Sequence, residues 1–302
     1  MLSLKLRDIN GRIYDKVTPL SMVLQKDENV PAHSLDVYVD SADFPEIVYV
    51  ELLSDGIVLF EGDVDEQVLE LSKSPSTFLS ARSTASRLMD NEACPMSFTD
   101  PCTEDIFQRY AKPFGFNSYI GDNKVCQGRF TVSKGTSCYS VLKSFCQRVY
   151  STLPCAEGDT LRFDRDDSED TVSLPNKNIR KARLKTLRFK RISDFFVKTQ
   201  GGRSYDSKVQ NTAANNAGIT RVRYLNASPS GADTLSDAYE IIRKSEQQSV
   251  LCEVEIDGFF PLYLGKKVVW DLPYEELYVA SVKCSLSSLG YTTKLTLKRR
   301  EI

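Results

Sequence analysis

The chain has 302 residues, of which 41% are apolar and 26% are charged, and its formal charge is −2. These proportions are ordinary for a globular protein, and so small a charge provides no global attraction to nucleic acid or to an anionic membrane. No apolar run approaches the length that spans a bilayer, and Lys5, Arg7 and Asp8 stand where a signal peptide would carry its apolar core. We therefore expect two to four subdomains in a protein made in the cytoplasm, and kept there or released by lysis.

The first 85 residues are predicted to form strands of a small antiparallel barrel or sandwich. Apolar and polar side chains alternate at residues 2–6 and 35–39. The segments 47–53 and 57–60 flank Ser54-Asp55-Gly56. An Asp-Gly pair between two such segments predicts a β-hairpin.

Residues 86–178 change to a mixed α/β pattern. Thr103 is the predicted N-cap of a helix that runs to Ala111 and stops at Lys112-Pro113. A second helix is predicted over residues 136–150, followed by a strand at 160–163. One face of that second helix is apolar and consists of Tyr139, Leu142, Phe145, Cys146 and Val149.

The last part, residues 179–302, is predicted to return to strands and to form a second barrel-like β domain. Asn, Ser, Gly and Ala fill residues 201–237. This composition predicts a loop-rich insertion, extending to about residue 255, that is flexible or ordered by a partner.

Two predicted hairpins at opposite ends of the chain share one sequence pattern. Residues 59–82 and 277–297 each contain a long strand, a turn of small residues and an alternating return strand. We interpret them as copies of one β unit. The predicted fold class is α+β, predominantly antiparallel β, with two barrel-like β domains (1–85 and 179–302) and a mixed α/β domain (86–178) between them.

Eight cysteines raise the question of disulfides or a metal site. No two of the six in the central region have the spacing of a zinc knuckle, and the single histidine, His33, lies far away in sequence. We expect free, mostly buried thiols and no Cys/His catalytic pair. The six central cysteines are Cys94, Cys102, Cys126, Cys138, Cys146 and Cys155.

Other charged or glycine-bearing segments also lack a complete site. Residues 164–170 alternate oxygen side chains as a calcium loop does, but Glu169 and Pro175 replace its glycine and its bidentate glutamate. Gly201-Gly202-Arg203 lacks the lysine of a phosphate loop and is predicted to be a hairpin turn. Glu51 and Glu61 are carboxylates without an accompanying pattern. No catalytic, metal or cofactor-binding residue is predicted.

Residues 180–191 form the basic stretch of the chain. On an extended strand its charges fall on both faces, which suits a strand exposed to a channel or to an acidic partner better than a compact phosphate site. A solvated surface strand is the simpler interpretation.

The order of elements carries a resemblance that no single motif provides. Its segments are short and follow one another in the order Ala81-Arg82-Ser83, Leu88-Met89-Asp90, 111–116, 130–137, Val141-Leu142, 158–163, 191–194, 264–268 and 289–293. This succession resembles the phage baseplate hub family of contractile tails. The family includes the Mu-type hub, late control protein D and defective-prophage tail proteins.

The resemblance implies a homotrimer with two barrel domains per chain, which together form a ring of approximate sixfold symmetry. The ring would join a hexameric tail tube protein to a trimeric spike protein, with the barrel edges as subunit contacts and residues 86–178 outside. A basic strand with Arg183, Lys185, Arg188 and Lys190 would face the lumen through which DNA passes. Because the sequence ends at Ile302 without an appended spike or lysozyme domain, the puncturing device is expected to be another polypeptide.

Two other function classes remain open. The sequence pattern of residues 130–142 is similar to the beginning of a cell-wall-binding LysM module, and Leu161-Arg162-Phe163 would supply its closing strand. That pattern predicts a peptidoglycan-binding tail protein. The basic stretch alone favours a nucleic-acid-binding protein, against which the overall charge argues.

Overall fold

The computed structural model describes residues 2–40, 44–164, 170–174, 176–198, 204–226, 234–270 and 277–299. The chain divides into two compact units. Unit 1 contains Met1–Glu169, Gly258–Leu264 and Val282–Thr293, and unit 2 contains Asp170–Asp257, Gly265–Ser281 and Lys294–Ile302. The three-domain division at residues 85 and 178 stays a prediction.

Unit 1 begins with seven strands in one sheet, in the spatial order β3-β4-β7-β6-β5-β1-β2. Their side chains alternate between buried and exposed, as Leu2, Leu4 and Leu6 do, because one face of the sheet covers the core. The strands are β1 (Leu2–Asp8), β2 (Ile13–Val17), β3 (Pro19–Asp27), β4 (Ser34–Asp40), β5 (Ile47–Ser54), β6 (Ile57–Glu70) and β7 (Ser76–Ser83).

Both hairpins predicted in this part of the chain are confirmed. β5 and β6 pair antiparallel around Asp55 and Gly56, whose φ angles are 49° and 84°. Positive φ at both central residues is the geometry that an Asp-Gly hairpin turn requires. β6 and β7 pair antiparallel from Gly62↔Ser83 to Glu70↔Ser76.

The rest of unit 1 up to residue 164 packs short helices and strands around its own aromatic core. Phe145 lies between Phe130 and Phe163 in edge-to-face contacts, with ring centroids 6.0 and 6.3 Å away. The elements are α1 (Ser86–Asp90), β8 (Met96–Thr99), α2 (Thr103–Tyr110), β9 (Ser118–Ile120), β10 (Arg129–Val132), α3 (Cys138–Val149), β11 (Cys155–Glu157) and β12 (Thr160–Arg162), with a 3-10 turn at Lys112–Phe114.

The two predicted helices exist, but the predicted cap of the first is wrong. The N-cap of α2 is Cys102, whose backbone N–H donates to the Asp105 carboxylate at 2.9 Å. Thr103 is fully buried, and its hydroxyl lies 2.6 Å from that of Tyr150. A side chain turned inward in this way is not available to cap the helix end. In α3 the predicted apolar face is buried at its centre, at Leu142, Phe145 and Cys146, and partly buried at Tyr139 and Val149.

Unit 2 and the C-terminal hairpin contain the remaining elements. The 3-10 turns are Asn176–Asn178 and Arg188–Lys190, and the helices are α4 (Thr212–Asn216) and α5 (Thr234–Gln247). The strands are β13 (Thr171–Ser173), β14 (Ile179–Thr186), β15 (Asp194–Val197), β16 (Ser207–Gln210), β17 (Val222–Leu225), β18 (Val250–Asp257), β19 (Lys267–Val269), β20 (Leu277–Ser287) and β21 (Gly290–Arg299).

The stretch predicted to be loop-rich is more structured than its composition indicates. β16 and β17 flank β15 in a three-stranded sheet, and Phe195, Val209 and Ala238 belong to a small core beside it. Asn211 caps α4 by accepting a hydrogen bond from the Ala214 backbone N–H. Residues 199–203, with the predicted glycine turn, and residues 227–233 lie outside the described residues.

The segment between β14 and β18 leaves the sheet and returns to it at adjacent positions. β14 and β18 are antiparallel neighbours that end with the pair Thr186↔Val250. The next residues are joined by a hydrogen bond of 2.7 Å from the Leu187 N–H to the Ser249 carbonyl. The whole segment between β14 and β18 is therefore an insertion between two paired strands.

One strand order occurs twice. The first set is β3-β4-β7-β6-β5, and the second is β14-β18-β21-β20, with β19 paired to β20. In both sets the strands follow the same order along the chain, and the last two form the hairpin that the sequence singled out. This is the arrangement expected of a duplicated β unit. The path through the described strands ends at β14 and β2 and does not close into a barrel.

Antiparallel pairing dominates, as the predicted fold class requires. Parallel pairing joins β12 to β9, β13 to β19 and β15 to β17. In the described part of the chain, no helix has the length and apolar character to cross a membrane.

Candidate assembly surface

The cysteines do not assemble into a reactive or metal-binding group. None of the eight forms a disulfide, and the described residues contain no cluster of three His, Cys, Asp or Glu side chains able to hold a metal ion. Burial raises the pKa of the Cys138 thiol to about 11, and it raises the pKa of Cys146 as well. Thiols that stay protonated at neutral pH are poor nucleophiles.

His33 lies partly buried in unit 1. Its backbone N–H donates to the Ser83 hydroxyl at 3.0 Å, and its carbonyl accepts from the Ser83 N–H at 2.8 Å. Burial, followed by the charge of Lys26, lowers the pKa of His33 to about 4. The imidazole is therefore neutral at physiological pH.

The two strand carboxylates each have a structural partner. Glu51 and Glu61 lie directly opposite each other on β5 and β6. Glu51 forms an ion pair with Lys5 at 3.3 Å, and Glu61 accepts a hydrogen bond of 2.9 Å from the Tyr49 hydroxyl. Burial and this hydrogen bond raise the pKa of Tyr49. These contacts tie neighbouring strands together.

Most of the segment compared with a calcium loop lies outside the described residues. At its two ends, Asp164 and Asp170 face cations instead of converging on a site. Asp164 lies 3.5 Å from the Arg162 guanidinium, and Asp170 lies 3.4 Å from the Lys266 ammonium.

The basic stretch divides into two structures. Arg183 and Lys185 lie on β14, whereas Arg188 and Lys190 lie in the following 3-10 turn and not on a strand. Lys185 forms an ion pair with Glu253 on β18. Arg188 donates to the Ala217 carbonyl at 2.7 Å, which fixes its guanidinium to the chain itself.

β14 is an edge strand with an exposed surface. Within the described residues it pairs with β18 alone. Lys181 and Arg183 are both exposed and lie opposite Glu255 and Glu253 of β18. The hydrogen bond from Lys185 lowers the pKa of Glu253, and the charges of Arg183 and Lys181 lower it further. An edge that presents unpaired backbone groups is a site where a second strand can add.

The end of β6 lies beyond its ladder with β5, whose last pair toward the β6–β7 turn is Tyr49↔Asp63. Residues 64–70 pair with β7 on one side. On the other side the Gln67 side chain accepts a hydrogen bond from the Ile47 N–H at 2.7 Å and donates one to the Pro45 carbonyl at 3.1 Å, so the chain that enters β5 lies beside this part of β6. Glu66, Glu70 and Leu69 are exposed. Sequence periodicity located β6, but the point at which its ladder with β5 stops depends on pairing that is not local.

The topology does not support the LysM interpretation. β10 pairs with β8, while β12 pairs with β9 and β11. The opening and closing strands of the expected module are therefore not paired with each other. α3 is the one helix between them, where the interpretation required two.

The fold as a whole matches solved tail proteins. A 43 kDa tail protein of prophage MuSo2 from Shewanella oneidensis superposes with a TM-score of 0.79 at 17% identity, covering 99% of this chain and 98% of that protein. The tail protein from Neisseria meningitidis superposes with a TM-score of 0.77 at 18% identity, covering 99% and 96%. This chain has the fold of phage and prophage tail proteins.

A secretion-system component shares the fold more distantly. An Escherichia coli component of the type VI secretion system, itself structurally similar to two tail proteins of bacteriophage T4, superposes with a TM-score of 0.57 at 10% identity, covering 99% of this chain and 77% of that one. No protein-family model and no curated protein matches the sequence. The resemblance to the baseplate hub family is thus confirmed at the level of the fold alone, which the superpositions with tail proteins establish.

Proposed function

We propose that this chain is the structural hub of a phage or phage-like contractile tail. Three copies form a ring, and the two β units of each chain give that ring approximate sixfold symmetry. One side of the ring contacts the tail tube protein and the other contacts the spike protein. The hub has no catalytic role, assembles in the bacterial cytoplasm and becomes part of the virion or tail particle.

The repeated strand order carries this proposal. Each chain contains the order β3-β4-β7-β6-β5 and its counterpart β14-β18-β21-β20-β19. Three chains with two such units present six similar sheets, so a threefold object can meet a hexamer without a second gene product. A tail protein that binds a single partner of matched symmetry has no need of two similar sheets.

The comparisons support a tail role in general. The fold is shared with a tail protein from Neisseria meningitidis, with a prophage tail protein and with a type VI secretion component that resembles tail proteins of bacteriophage T4. These similarities favour a structural part in a tail over an enzymatic one.

The basic residues have a place in the same proposal. Arg183 and Lys185 lie on β14, and Arg188 and Lys190 follow it directly. In the ring these side chains line the channel, where they make sequence-independent contacts with DNA as it passes. Such transient contacts do not require the net positive charge that a stable nucleic-acid-binding protein has.

Light scattering during gel filtration, followed by electron microscopy, tests the proposal. We expect a particle of three times the 34.0 kDa chain mass, with six similar lobes in views along its axis. A protein that stays monomeric at all concentrations, or a ring without sixfold modulation, would contradict it. Capture by cell-wall sacculi or salt-sensitive retention on DNA, without a ring, would favour the two other function classes.

A further inference from the structure

A cleft of about 440 Å³ in unit 2 brings three arginines together. Arg188 belongs to the 3-10 turn that follows β14, Arg221 lies just before β17, and Arg223 lies within β17. No Asp or Glu is among the described residues that line the cleft. The apolar part of its wall consists of Phe189, Ile219 and Val222. The size is that of a site for a small molecule, and the lining combines positive charge with apolar surface.

Each of the three guanidinium groups is held by a hydrogen bond to a backbone carbonyl. Arg188 donates to the Ala217 carbonyl at 2.7 Å, and Arg221 donates to that of Arg191 at 3.2 Å. Arg223 donates to the carbonyl of the residue before it at 3.0 Å. A guanidinium has five N–H donors, so each of the three retains donors for a ligand. Side chains that are already fixed lose less conformational entropy when a ligand binds.

The backbone that carries Arg221 is fixed as well. Its carbonyl accepts hydrogen bonds from the N–H and from the hydroxyl of Ser193, both at 2.9 Å. On the other side of the turn at Gly218, the N–H of Ile219 donates to the Ala214 carbonyl at 3.0 Å, and Ile219 is 8% exposed. The wall of the cleft is therefore formed before any ligand binds.

The carboxylates of the neighbouring elements are paired with other cations. Asp194 forms an ion pair with Lys208 at 3.0 Å, and Glu246 forms one with Arg191 at 2.8 Å. Lys190, whose ammonium lies 5.5 Å from the centroid of the Phe189 ring, adds a fourth positive charge beside the cleft. A concentration of positive charge in a chain of net charge −2 is a local feature, and it favours an anionic ligand.

We propose that this cleft binds the terminal phosphate group of a nucleotide-sized compound. A carboxylate has two oxygens in one plane, which a single guanidinium fork satisfies. A terminal phosphate has three acceptor oxygens and nearly two negative charges, so it can accept from three guanidinium groups at once. Phe189 and Val222, which are 61% and 38% exposed, offer apolar surface to the rest of the molecule. The site lies within one chain and does not require the ring.

Two probes distinguish the sources of the phosphate. Inorganic pyrophosphate represents a free phosphate compound, and adenosine diphosphate carries the same diphosphate on a planar base. We expect both to bind in calorimetric titrations at low salt. Phe189→Ala should weaken the binding of the nucleotide and leave that of pyrophosphate unchanged, because pyrophosphate has no group to place against the ring. Equal effects of Phe189→Ala on the two probes would overturn the role of the apolar wall.

Removal of two positive charges tests the arginines. We expect R221Q/R223Q to weaken the binding of both probes by about tenfold or more, because hydrogen bonds to charged groups are strong. R188Q/R223Q changes two exposed positions and should have a similar effect, so the test does not depend on the partly buried Arg221. R109Q/R129Q removes two exposed arginines of unit 1 and is the matched control. It should leave both affinities unchanged.

Three results would overturn the site in variants whose circular dichroism is that of the wild type. They are the absence of binding by both probes, binding that R221Q/R223Q and R188Q/R223Q leave unchanged, and an equal loss in R109Q/R129Q. Tighter binding of an oligothymidylate without a terminal phosphate would contradict the ligand class. The mass of the protein is measured separately: a trimer that binds neither probe leaves the hub proposal standing, and a monomer that binds them overturns the hub alone.

Discussion

Arg87 on α1 donates two parallel hydrogen bonds to the Asp63 carboxylate on β6. The Nε atom donates to Oδ2 at 2.5 Å, and Nη2 donates to Oδ1 at 2.6 Å. These bonds raise the pKa of Arg87, and they fix β6 at the last pair of its ladder with β5, Tyr49↔Asp63. A planar fork of this kind cannot be reproduced by a point charge.

Replacing Arg87 with lysine keeps the charge but removes the second hydrogen bond. Because both side chains are about one third exposed, we expect Arg87→Lys to lower the free energy of unfolding by only about 1 kcal/mol. Urea denaturation measures the effect. Arg109→Lys, at an exposed position of α2, is the control and should change stability by less. Equal effects in the two variants would contradict a special role for the fork.

Gly62 marks a close approach between β6 and β7. A Cβ atom at this position would lie 2.1 Å from the Arg82 carbonyl oxygen. Backbone atoms cannot move aside as a flexible side chain can, so we expect Gly62→Ala to cost about 3 kcal/mol of stability. Thermal denaturation by circular dichroism measures the loss. Gly128→Asn is the control, because Gly128 has positive φ, which Asn tolerates, and no atom within 4 Å. A small effect of Gly62→Ala would show that the strands separate easily.

The partly buried His33 predicts a loss of stability in mild acid. Its pKa is about 4 in the folded protein, against an ordinary value of 6.5. The unfolded state binds the proton more readily than the folded state. The stability that the neutral His33 imidazole contributes is therefore complete above pH 6.5 and declines as the pH falls from 6.5 toward 4. Each pKa unit corresponds to about 1.4 kcal/mol, which gives a loss on the order of 3 kcal/mol.

Denaturation curves between pH 7.5 and 4.5 measure this dependence. We expect His33→Gln to flatten the curve over that range. As the chain contains one histidine, its imidazole resonance is unambiguous and reports the folded pKa directly by NMR. A midpoint near 6.5 would contradict the prediction.

The cap of α2 provides a test in the stabilising direction. Cys102 and Asp105 form a reciprocal cap, and the hydrogen bond from the Cys102 backbone lowers the pKa of Asp105. Serine is a better N-cap than cysteine, so Cys102→Ser is expected to stabilise the protein slightly. Asp105→Asn removes the charged acceptor and should cost about 1 kcal/mol. Differential scanning calorimetry distinguishes the two. If both variants lower the Tm, the cysteine itself is required by the surrounding packing.

Local chemistry explains which elements could be predicted from the sequence. The Asp55-Gly56 turn and the alternation along β6 and β7 are properties of neighbouring residues, and each predicted its hairpin correctly. Thr103 was the wrong cap because its hydroxyl is drawn inward by Tyr150, a residue distant in sequence. Composition likewise failed at residues 201–237, where Asn211 starts a helix and does not prolong a loop.

Less of the candidate assembly surface could be predicted from the sequence. The basic stretch was recognised, but its division into a strand and a 3-10 turn after Thr186 was not. The position of β14 at the edge of its sheet depends on which strands pair beside β18. Those are long-range pairings, and no periodicity in a single segment records them.

The segment between β14 and β18 begins and ends at one hydrogen-bonded pair of residues, which has a practical consequence. As Leu187 and Ser249 are already hydrogen-bonded to each other, the sheet fixes both ends of the intervening polypeptide regardless of its content. We expect that segment to tolerate shortening to a tight turn, or exchange for a fluorescent or affinity tag, with both flanking strands left in register. A tag inserted there would mark one defined position on each chain.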